Sequence, residues 1–426
     1  MTCRKLLKTS LCVAGLLSGL AVRAFAVDIK ANVMMRGDMM RFEKEKSTGD
    51  TQYRWLLNNP VNQKDNPGDG LILEVDAGIA GARLAMWYRS ATNNGADANE
   101  DDDWTAHFRR TYVWFKPIDM LKLQIGYVGC DQHFKEKIDE WKVGNPFSLA
   151  SRDWVVRPGY INCNDVEGWG FGLEVRPIEP LIINAGITPG WKGSVEGTTK
   201  KDEAGIYKKT GEDTIIAPWG IGARYFWNDF EFQASFRNGV TGDSTARNKW
   251  RVARLGVGYK NARTSSFFQP ILGFDHDSAK DEWKLNGMCL DMYSELYFDA
   301  LTCIIHAPLS LRWSGDEGDR SYIEPTVKVK YNTGSFGNLD DVSPYIMLGA
   351  NRDDALYNPA YRAWHLDGKH FADSFNLSYV LGVNFKVAIA EIDIGVKYDM
   401  LSTYAKDQYD RDWVFSIPFM VKIKNF

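Results

Sequence analysis

Cysteine is scarce in this chain of 426 residues: six in all, two of them within the first 26 positions. The remaining four, Cys130, Cys163, Cys289 and Cys303, are too few for a disulfide-built scaffold, and none is spaced C-x-x-C. The six histidines are scattered, with no H-E-x-x-H. No G-x-S-x-G appears either, so metal and nucleophile chemistry find no motif. No metal or cofactor is expected. After position 26 the chain offers no apolar run long enough to cross a bilayer as a helix. Basic excess is lacking too: the formal net charge is −4. Nucleic acid, which calls for clustered cationic surface, is therefore not an expected partner.

The one apolar run is at the start. Arg4, Lys5 and Lys8 precede a short core, Leu11 to Val22, and Ala24-Phe25-Ala26 has the small-x-small form of a cleavage site. Residues 1–26 read as a secretory signal peptide, with Val27 opening the mature protein. Removing it takes away Arg4, Lys5, Lys8 and Arg23, so the charge moves from −4 to −8.

What the mature chain does have is alternation. In Leu121-Lys122-Leu123-Gln124-Ile125-Gly126-Tyr127, apolar and polar residues take opposite faces. Trp169 to Arg176, Trp219 to Tyr225, Phe230 to Arg237, Ile323 to Tyr331 and Ile392 to Tyr398 repeat the pattern. A period of two is the signature of strands. The polar faces carry much glycine, which in a channel leaves room for solute. Fifteen Trp, nineteen Tyr and twenty-two Phe suit the aromatic girdles that flank a lipid-facing band. Connections alternate between short turns, such as Asn228-Asp229 and Asn261-Ala262-Arg263, and long loops, such as Cys130 to Gly168.

These features predict an all-β protein. It is a transmembrane antiparallel up-and-down β-barrel of about eighteen strands, or sixteen, with short periplasmic turns and long external loops. Residues 27–426 form that single outer-membrane β-barrel domain. Closure matters because in lipid every backbone group must be paired.

The stretch Arg110 to Tyr127, strand, tight turn and strand followed by a long loop, resembles the outer-membrane porins of diderm bacteria, and so does the aromatic end at Phe426. The resemblance implies a porin in the outer membrane, exported through its cleaved signal peptide. It would pass small hydrophilic solutes by passive diffusion, without catalysis. It implies contact with outer-membrane lipid and the barrel-assembly machinery, and assembly as a homotrimer. Two other readings stand beside it. One is a fatty-acid-type channel for hydrophobic substrates, although Asn358-Pro359-Ala360 falls late in a loop. The other is an outer-membrane adhesin or enzyme.

The residues expected to line or constrict the pore are Lys122, Gln124, Lys135, Lys137, Arg152, Arg176, Arg224, Arg237, Arg254 and Lys328. With Lys260, Lys330, Lys386 and Lys397, the basic residues on polar faces outnumber Glu174, Glu231, Asp291, Glu295, Glu324 and Asp393. That excess predicts a modest preference for anions. The loop from Cys130 to Val166 is expected to enter the barrel, tied by a Cys130–Cys163 disulfide.

Overall fold

The structure is a computed structural model. It describes residues 28–57, 70–89, 105–108, 111–129, 167–188, 198–201, 207–210, 218–242, 247–277, 280–312, 321–350, 364–366 and 370–424. Nearly all of these lie in one large antiparallel sheet, in which neighbours in sequence are mostly neighbours in space. Among the described residues there are also two short helices, α1 (Phe371–Ser374) and α2 (Thr403–Tyr409).

The local chemistry accounts for the meander. Two-residue turns join Tyr112–Ile118 to Leu121–Gly129, Trp219–Trp227 to Phe230–Gly242, and Ala390–Met400 to Leu377–Val387. Asn228, Asp299 and Ala388 enter such turns at φ near 50°. Turns of that hand match the right-handed twist of the strands they join. The first strand, Asp28–Glu45, pairs along one edge with Thr51–Leu57 and Gly70–Asp76. Along its other edge it pairs with the last strand, Arg411–Lys424.

The expectation of eighteen strands needs correction, because the described residues form twenty-six strand segments. Much of the excess comes from interruptions. Ala307-Pro308 separates Leu301–His306 from Leu309–Arg312, and both segments pair with Glu282–Phe298. Glu324-Pro325 likewise separates Tyr322–Ile323 from Thr326–Tyr331. Proline has no N–H for the ladder, so it breaks a strand without ending its course. Thr51–Leu57 lies where the sequence suggests only a connection. Thr198–Lys201 and Tyr207–Thr210 form a hairpin outside the main sheet.

The two faces of the sheet reverse the arrangement of a soluble protein. Leu255 is 60% exposed, Phe171 54% and Leu381 57%, while Arg237 is 1% and Asp291 0% exposed. Ile125, Ile221, Phe230, Phe232 and Val327, assigned by parity to one apolar face, are all exposed. Aromatic residues gather at both ends of that face. Trp227, Phe230 and Tyr259 pack together beside the short turns. Trp219 with Phe236, and Trp413 with Tyr398, pack at the opposite end.

The charged inner face as candidate functional site

Alternation places every second side chain on the covered face, and charges collect there in two sectors. Six consecutively paired strands, from Leu121–Gly129 through Arg247–Lys260, carry Lys122, Arg176, Arg224, Arg237 and Arg254. Two carboxylates accompany them. Glu174 accepts from Arg176 at 2.7 Å, and Glu231 accepts from Arg224 at 3.0 Å. Lys122 lies across from Glu174 in register, and its ammonium stands 4.6 Å from the centre of the Trp114 ring.

The second sector is mainly acidic. His306 Nε2 lies 2.8 Å from Asp291 Oδ1. Tyr293 and Tyr297 both donate to Glu295. Tyr345 donates to Asp393 at 2.8 Å, and Lys328 Nζ sits 3.7 Å above the Tyr345 ring. Asp399 is held by Ser378 and by Lys397, whose ammonium is 3.0 Å away. Buried charges of this kind are tolerated only when partnered. Asp291, Glu295 and Asp399 each have a donor on the same or a neighbouring strand, while Tyr345 reaches Asp393 across the strand between them.

The covered face is also more apolar than its sequence pattern suggests. Phe267, Tyr293, Ile304, Tyr345, Met347, Val380 and Met420 form a cluster there. The rings lie flat on the wall because glycines sit beside them. A Cβ on Gly382 would fall 2.5 Å from Cζ of Tyr345, and one on Gly239 would fall 2.3 Å from the Trp250 indole. Gly81 stands in the same relation to Trp114, and Gly256 to Phe267. These four glycines therefore receive rings from the next strand, which corrects the expectation that they leave open space. Sequence parity separates the faces but does not say which ring meets which glycine, because that depends on register.

Of the residues predicted from sequence, Lys122, Gln124, Arg176, Arg224, Arg237, Arg254 and Lys328 all lie on this face by strand parity. Gln124 is buried against Gly172. Lys135, Lys137, Arg152, Cys130 and Cys163 lie outside the described residues. Among the described residues, Cys289 is buried on the inner face and Cys303 is half-buried, and neither is in a disulfide. Trp114, Trp250 and Tyr345 were not singled out from sequence.

The chain was compared with known proteins. No protein-family model matches it, and no curated protein matches it in sequence. Among solved structures it is similar to OpdL of Pseudomonas aeruginosa, with a TM-score of 0.50 and 11% identity over 94% of this chain and 99% of that one. The chain has the outer-membrane porin fold. Similar in the same way, at lower score, is the outer membrane channel DcaP of Acinetobacter baumannii. Its TM-score is 0.46 and its identity 12%, over 95% of this chain and 99% of that one. The outer membrane protein opdK from Pseudomonas aeruginosa gives 0.45 and 11%, over 93% and 98%. At such identities the likeness speaks to architecture and leaves the solute open.

Proposed function

We propose that the mature protein is an outer-membrane porin through which small hydrophilic solutes diffuse. One observation carries this reading: charged side chains are covered while large apolar ones are exposed, on opposite faces of one sheet. That arrangement suits lipid outside and water inside.

The sheet is read as a closed barrel of eighteen walls. Three pairs of segments continue one another along a shared neighbour, among them Leu301–His306 with Leu309–Arg312, and two more pairs continue one another along segments so joined. Joining them, and setting aside the separate hairpin and the short Gly334–Phe336, leaves eighteen. Pairing of the last strand to the first supports closure. Residues 1–26 are read as a cleaved leader, which N-terminal sequencing of the mature protein tests.

The pore is read as modestly anion-selective. The sector from Lys122 to Arg254 supports this, and so does the engagement of Asp291, Glu295, Asp393 and Asp399 by donors from their own sector. A field set by low-dielectric walls outweighs the net charge of the whole chain. Conductance in a planar bilayer tests the channel, and the reversal potential in a salt gradient tests the selectivity. A folded protein that conducts nothing overturns the first reading, and clear cation preference overturns the second. The constriction is assigned on sequence alone to Cys130–Val166, with Lys135, Lys137 and Arg152. Deleting 132–160 raises single-channel conductance if that assignment holds.

A further inference from the structure

The exposed face carries one arginine that its lipid-facing surroundings do not explain. Along Arg247–Lys260 the register with Thr264–Asp277 is constant, so Lys249, Arg251, Ala253, Leu255 and Val257 share a face. Leu255 and Val257 are exposed large hydrophobics, so Arg251 projects toward lipid. Its guanidinium lies 3.7 Å from the centre of the Trp283 ring, and its Nε donates to Asn238 Oδ1 at 3.4 Å. Among the described residues no carboxylate ion-pairs with it. His276, opposite Trp283 in register, packs on the same indole at 5.0 Å, and its Nε2 lies 3.0 Å from Asp281 Oδ1. Asp277 and Lys284 pair with each other nearby.

Depth narrows the meaning of this cluster. Arg251 stands nine residues before Lys260, which adjoins the Asn261–Arg263 turn. At roughly 3.3 Å per residue and a tilt near 40°, it is about 23 Å from the short-turn end, against an apolar band about 25 Å tall. It therefore sits at the far membrane interface, at headgroup level, where an aromatic ring is expected but a cation without a carboxylate partner is not.

We propose that Arg251, with Trp283 and Lys249 beside it, binds the phosphate of a lipid headgroup in the outer leaflet. The guanidinium fork matches a phosphate in two-point geometry, and stacking on Trp283 fixes its plane. Charge complementarity decides the occupant. Arg251 and Lys249 are cations on the outward face, and Asp281 is engaged by His276. This site rests on the reading that the sheet spans a membrane.

The test uses the full mature protein in detergent micelles, with diphosphoryl lipid A as the probe and native mass spectrometry as the readout. Its phosphate-free analogue and inorganic phosphate serve as controls. The wild type should hold the diphosphoryl lipid in preference to both. R251Q should weaken that binding roughly ten-fold, the loss of one charge-assisted contact. R251K, which keeps the charge without the fork, should fall between. Equal binding of the phosphate-free lipid, or unchanged binding in R251Q and R251K, overturns the proposal. Wild-type conductance is measured separately, so failure of the porin reading is distinguishable from failure of this site.

Discussion

Gly382→Ala should destabilise the sheet even though alanine is the better strand residue. In an open strand the exchange favours folding by about 0.5–1 kcal/mol, because glycine loses more backbone freedom. Here the new methyl would fall 2.5 Å from both Cζ and the hydroxyl oxygen of Tyr345. The ring must lift from the wall. Overpacking of this kind costs about 1–3 kcal/mol. Lifting also breaks the 2.8 Å hydrogen bond to Asp393, a charged acceptor whose contact contributes about 1.5–3 kcal/mol. The net expectation is a loss of about 2–5 kcal/mol. In a Tyr345→Ala background the same exchange should be neutral or slightly stabilising, since the three atoms nearest the new methyl all belong to the Tyr345 side chain. Urea unfolding of the protein in lipid vesicles, followed by tryptophan fluorescence, gives both legs of the cycle. A Gly382→Ala midpoint equal to or above wild type, or additive single effects, refutes the argument.

The other expectations concern the lipid face, the charges and the rim. Leu255→Arg places a charge near mid-membrane, where it costs about 2–4 kcal/mol, so the folded yield on a heat-modifiability gel should drop sharply. The double variant Arg237→Gln/Arg254→Gln should shift the reversal potential toward cations, while Lys284→Gln, at the exposed end of its strand, should not. At the rim, the hydrogen bond to Asp407 raises the Lys46 pKa. A raised lysine stabilises the fold below its ordinary titration range, and that contribution is lost as pH climbs through the elevated value. Resistance to urea should therefore fall as pH climbs above the ordinary lysine value of about 10.4, and Asp407→Asn should flatten this part of the profile.

Much of the fold was legible because a strand announces itself residue by residue. The parity of Ile125, Phe171 and Ile221 needs no knowledge of neighbours, and the three are exposed together. The turn at Asn228-Asp229 was equally local. What escaped depends on pairing. Trp250 reads as another girdle aromatic until register sets it over Gly239, on the inner face. The charged positions were found as a set, but their division into a basic and an acidic sector follows strand order, and their individual partners follow register.

The seam between the first and last strands has a consequence for how the chain assembles. At one end of it Lys46 meets Asp407 on α2, and the Ser47 amide donates to Asp410 at 2.8 Å, contacts that join residues 361 and 363 apart in sequence. The hairpins between can each form from nearby residues, but these contacts wait until almost the whole sheet is in place. Closing so long a loop is entropically unfavourable and slow, so the seam should be the last contact to appear on folding. A probe pair placed on Lys46 and Asp407 would accordingly stay dark through growth of the sheet and report a single event, the arrival of the final strand beside the first.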